Sequence, residues 1–118
     1  MTKSGRSDQK LIAEDTLRSK CKIFHYTWND LSKVWTVPVI HALGLKEPVR
    51  FNELKRRIDG INATSLTERL MELERRNIIQ RKVYPETPPK VEYSLTKKGW
   101  ELHTVLCQLA EWVRKWHQ

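Results

Sequence analysis

A chain of 118 residues with 39% hydrophobic and 31% charged side chains suits a single hydrophobic core and excludes disorder of the whole. Lys and Arg number 22 against 14 Asp and Glu, and the resulting net charge of +8 favours a polyanionic partner, nucleic acid first and acidic lipid second. No apolar run approaches the ~20 residues that cross a bilayer, residues 1–20 lack the apolar core of a secretory signal, and two cysteines, Cys21 and Cys107, are too few to staple a secreted fold; a cytoplasmic protein is expected.

Residues 1–7 are polar and aperiodic and read as a flexible arm, with residues 8–118 as one domain. From Asp8 to about Lys22, Leu11, Ile12 and Leu17 predict a helix whose thin apolar stripe needs a second surface, such as a dimer partner, to cover it. Leu31, Val34, Trp35, Val39, Ile40 and Leu43 follow helical steps. Pro38 puts the start of that helix near Thr36, where a proline falls in the first turn, and Gly44 is expected to close it in a left-handed conformation. Phe51, Leu54 and Ile58 predict a brief helix with Asn52 near its start and Asp59-Gly60 as a turn after it.

Asn62 opens the most strongly periodic segment, with Leu66, Leu70, Leu73 and Asn77 on one face and Thr64, Glu68, Arg69, Glu72, Arg75 and Arg76 on the other. Two helices joined by a tight glycine turn make a helix-turn-helix. The period then changes to two over Ile79 to Tyr84 and Val91 to Leu95, with Pro85, Pro88 and Pro89 between them, so a β-hairpin should project as a wing. Thr96 caps a last helix whose stripe of Leu102, Val105, Leu106, Leu109, Trp112, Val113 and Trp116 is broader than one small core requires. The expected fold is α+β and mostly helical: a winged helix-turn-helix with a two-stranded wing and dimerisation helices at both ends.

In that order of elements the second helix of the motif fits the major groove and the hairpin reaches the flanking backbone or minor groove. Thr64, Ser65, Thr67, Glu68 and Arg69 offer hydroxyls, an acceptor and a forked donor near the start of that helix and are the base-reading candidates. Glu68 and Arg69 are equally placed to bridge each other or their neighbours. Arg81, Lys82 and Lys90 on the wing, with Arg50, Asn52, Arg56 and Arg57 around the short helix, are candidates for phosphate contact, the alternative being ordinary solvated charge.

The stretch RFNELKRRIDGINATSLTERLMELERRNIIQRKVY, followed by PPKVEYSLTKKGWEL and a terminal helix with Trp112, resembles the HxlR family of winged-helix regulators and their MarR-like relatives over Cys21 to Trp116. The resemblance implies a DNA-binding homodimer, joined through its terminal helices, that represses or activates at a two-fold symmetric operator. The chain departs from the family's Cys-Pro and Gly-Gly-Lys-Trp segments, having Cys21-Lys22 and Leu31-Ser32-Lys33-Val34-Trp35. In several relatives a cysteine at this amino-terminal place senses oxidants or electrophiles, so the resemblance makes Cys21, and secondarily Cys107, redox candidates, the alternative being a small buried hydrophobe. Cys21 with His25 and His103 with Cys107 are each four apart and offer four soft ligands, but ordinary packing is the simpler account and no metal is expected. No catalytic constellation or cofactor motif is visible, so neither an enzyme nor a cofactor is expected. The remaining alternatives are a winged-helix module that docks proteins and a regulator switched by an oxidant or small molecule.

Overall fold

The computed structural model describes residues 18–117, in two compact units divided between Lys33 and Val34. In the first, helix α1 covers residues 18–31. It continues well past the expected end near Lys22. The extension is one that apolar periodicity toward a core cannot reveal, because Ile23, Phe24 and Tyr26 are all largely exposed. Phe24 and Trp28, one turn apart, stack at 5.9 Å with rings 9° from parallel. The expected stripe of Leu11, Ile12 and Leu17 lies outside the described residues.

The second unit is a winged helix-turn-helix. Helices α2 (Thr36–Leu45), α3 (Phe51–Arg57) and α4 (Ala63–Arg75) are followed by strands β1 (Ile79–Tyr84) and β2 (Lys90–Leu95) and by helix α5 (Lys97–Trp116). Its core joins Val39, Ile40 and Leu43 of α2 to Leu54 of α3 and to Leu66, Leu70 and Leu73 of α4, closed by Ile78, Ile79 and Leu95. Such spacing places each set on one helical face, and burying it is the dominant favourable contribution to folding. None of the described helices is long and apolar enough to cross a membrane.

α2 begins at Thr36 as the proline position requires, but Gly44 is helical and does not end it. The glycine serves close approach instead: a Cβ there would collide with the His103 ring of α5. Left-handed backbone is found at Trp35, Gly60 and Asn77. At Gly60 it forms the turn between α3 and α4, where glycine adopts a positive φ without steric cost. Asn77, expected on the buried face of α4, instead lies past the helix end, exposed, with φ 64.

The hairpin is antiparallel, pairing Ile79 with Leu95 through to Tyr84 with Lys90. Val49 adds a short third rung, exchanging backbone hydrogen bonds with Tyr93 at 2.9 and 2.7 Å. The expected alternation is broken in β2, where Glu92 is buried while Val91 and Tyr93 are half-buried.

Candidate nucleic-acid interface

α4 starts cleanly because the Asn62 side-chain oxygen accepts the Ser65 N–H at 2.8 Å, satisfying one of the donors that a helix start leaves open. Beyond this cap Thr64, Thr67 and Glu68 are exposed, whereas Ser65 is half-buried. Arg69 does not project as expected. Its side chain is only 13% exposed and lies along the helix, with Nη2 3.3 Å from Glu72 Oε1 and 3.5 Å from Glu68 Oε2. Its Nε is buried and its N–H donates to no partner. The bridging alternative therefore describes Arg69 as it stands in the free protein.

Arg57 is also engaged elsewhere. Its Nη1 donates to the carbonyls of Ala42 at 3.3 Å and Lys46 at 2.9 Å, and its Nη2 pairs with Glu53 at 2.9 Å. These bonds satisfy carbonyls at the end of α2, where a helix leaves acceptors open and a cation is favoured. Arg57 thus caps the end of α2 in this structure. Arg50, Asn52 and Arg56, by contrast, are exposed and line a groove of about 370 Å³ that runs from α3 to Pro89 and Val91 of the wing.

On the wing, Arg81 Nε lies 3.8 Å from Glu74 Oε2, tying β1 to α4. Lys90 Nζ is 3.0 Å from Glu92 Oε1. That hydrogen bond and the charge behind it raise the Lys90 pKa. Burial raises the phenol of Tyr93, opposed by the nearby Arg81 charge.

Glu47 joins the base of the wing to α5. Its Oε2 accepts the Leu95 N–H at 2.7 Å and its Oε1 accepts the Trp100 indole N–H at 3.0 Å. Sequence reading passed over Glu47, Tyr84 and Glu92, whose partners are set by strand register or lie about fifty positions away.

α5 carries its expected stripe, with Leu102 and Leu106 half-buried and Val105, Leu109, Trp112, Val113 and Trp116 exposed. Cys21 and Cys107 are both free thiols and exposed. Cys107 Sγ lies 3.8 Å from His103 Nδ1, and the His103 ring stacks on His41 at 6.0 Å. Among the described residues no cluster of three His, Cys, Asp or Glu is arranged to hold a metal ion.

The pattern of the HxlR-like helix-turn-helix family matches residues 31–118. An uncharacterised HTH-type transcriptional regulator of Halalkalibacterium halodurans is 44% identical over 89 residues, 75% of this chain and 79% of that protein. The regulator YodB of Bacillus subtilis is 40% identical over 92 residues, 78% of this chain and 81% of its own. The solved structure of its reduced form superposes with a TM-score of 0.70 at 38% identity, covering 80% of this chain and 91% of that one. A second YodB structure, of diamide-treated protein, gives a TM-score of 0.66 at 36% identity over 80% of this chain and 92% of that one.

Proposed function

Because this chain belongs to the HxlR-like helix-turn-helix family of transcriptional regulators, we propose that it binds double-stranded DNA sequence-specifically, as a homodimer on a two-fold symmetric operator. α4 enters the major groove, and the wing lies on the flanking backbone or minor groove. The observation that carries this reading is the exposed start of α4, where Thr64, Thr67 and Glu68 stand clear of the core. Ser65 and Arg69 join them at the bases, Arg69 by leaving Glu72 and Glu68 for a guanine edge. Arg50, Asn52, Arg56, Arg81, Lys82 and Lys90 neutralise phosphates.

Dimerisation is supported by the exposed apolar face of α5. Trp112 and Trp116 are 61% and 68% exposed, a large apolar surface for a monomer to leave in water, and a second copy covers it.

Selection of bound fragments from genomic DNA, followed by anisotropy titration across salt, tests the proposal. Affinity for the selected site should fall steeply with salt, and Thr64→Ala with Thr67→Ala should lower it toward that for unrelated DNA. Undiminished affinity in these variants and in Arg81→Ala with Lys82→Ala would favour a protein-docking module.

A second reading adds a thiol switch at Cys21, supported by its exposure and by the relative YodB having been solved both reduced and after diamide treatment. If Cys21→Ser leaves operator binding as sensitive to diamide as before, Cys21 is not the switch.

A further inference from the structure

Lys82, Tyr84, Lys90 and Glu92 share one face of the hairpin. Lys82 stands opposite Glu92 and Tyr84 opposite Lys90, and alternate residues of a strand point the same way. Lys82 Nζ lies 4.9 Å from the Tyr84 ring centroid and Lys90 Nζ lies 5.0 Å from it, both within the ~6 Å over which an aromatic face attracts a cation.

Two ammonium groups drawn to one ring repel each other. Glu92 binds Lys90 at 3.0 Å and balances one of the two charges, with the Glu86 charge acting on Lys90 from farther off. An ammonium has three donors, and neither a ring face nor one carboxylate exhausts them. Free N–H groups from two cations therefore converge beside an open groove of about 520 Å³ lined also by Glu47, Gln80 and Ser94. Arg81 also lines this groove, but its Nε lies 3.8 Å from Glu74 of α4, which balances its charge.

We propose that Tyr84 is the positioning residue of the wing, gathering the ammonium groups of Lys82 and Lys90 into one seat for a single backbone phosphate of the bound DNA. The inference rests on the DNA-binding reading above and adds to it a specific division of labour. The lysines supply the charge, and the ring removes most of the rotamer freedom that two long side chains would otherwise lose on binding.

The test is anisotropy titration of the full chain with a labelled mixed-sequence duplex across a salt series, since a phosphate contact is indifferent to sequence. Lys82→Gln and Lys90→Gln should each weaken binding about three- to tenfold near physiological salt, and the double variant by no more than the stronger single, because both side chains serve one anion. Tyr84→Leu should reproduce that loss and lower the slope of log affinity on log salt by about one, although net charge is unchanged. Tyr84→Phe should bind like the original protein.

Wild-type affinity in Tyr84→Leu, Phe and Leu variants equally weak, or lysine losses that multiply in the double variant would each overturn the proposal. Should Tyr84→Leu fail to melt cooperatively, the lysine double-variant cycle decides alone. A wild-type chain without salt-dependent DNA binding would sink the DNA reading as well, whereas salt-dependent binding with an unaffected Tyr84→Leu would sink only the phosphate seat.

Discussion

The ring of His103 fills the space that a β-carbon on Gly44 would need, so α2 and α5 meet where one of them has no side chain. A second close approach lies at Gly99, where a β-carbon would run into the carbonyl oxygen of Ile78. The two glycines answer differently to alanine. A ring at the end of a side chain can rotate away, whereas a backbone carbonyl in the core cannot. Gly99→Ala should lower stability by about 1–3 kcal/mol in thermal or urea unfolding. Gly44→Ala should cost less, and in a His103→Ala background it should stabilise by up to about 1 kcal/mol, the helix-propensity difference. An equal loss at both sites would refute the distinction.

Arg56 and Arg57 are neighbours with opposite assignments. Arg57 ties the end of α2 to α3, while Arg56 lines the open groove beside the wing. Arg57→Ala should lower the melting temperature, with a cost of about 1–3 kcal/mol for charged hydrogen bonds lost. Arg56→Ala should leave melting unchanged and reduce the salt slope of DNA binding by about one. Calorimetry and anisotropy on the two variants would expose a reversed pattern.

Loss of the Asn62 cap is expected to cost about 0.5–2 kcal/mol, and Asn62→Asp should restore most of it because the carboxylate accepts the same Ser65 N–H. Chemical denaturation of Asn62→Ala beside Asn62→Asp measures both.

Stability should decline on the alkaline side. Tyr93 and Lys90 both have folded pKa values raised above the ordinary 10.0 and 10.5. The native state therefore holds their protons more tightly than the unfolded chain does. Their contribution is full below those values and is lost as pH rises through the raised ones. Tyr93→Phe removes the phenol that burial protects, so its melting temperature should fall less steeply above pH 10 than that of the unaltered chain. Parallel alkaline profiles would exclude Tyr93 as a contributor.

The sequence made the local elements plain. The Leu66, Leu70 and Leu73 spacing marks α4, the change to period two marks the hairpin, and Asn62 and Thr96 mark helix starts, because each signal lies within a few residues of the structure it reports. The role of Gly44 and the long-range contacts of Arg57 and Glu47 were not legible, for the opposite reason. Their partners are His103, Ala42 and Trp100, and no local pattern carries those pairings. Arg69 lies between these cases. Its pairing with Glu72 was legible as a three-residue spacing, but whether it projects or folds back depends on how closely the helix surface packs around it.

Thr96 sets a mechanical constraint on α5. Its hydroxyl oxygen accepts the Gly99 N–H at 3.0 Å and lies 2.6 Å from the Asn77 carbonyl oxygen, to which it donates. The root of α5 is thereby pinned to the junction where α4 passes into β1. A twenty-residue helix is a rod of about 30 Å, so a 5° tilt at this anchor sweeps its far end through about 2.6 Å. Any event that moves the Trp116 end sideways by a few ångströms therefore reaches the exit of α4 as a tilt of a few degrees with little displacement.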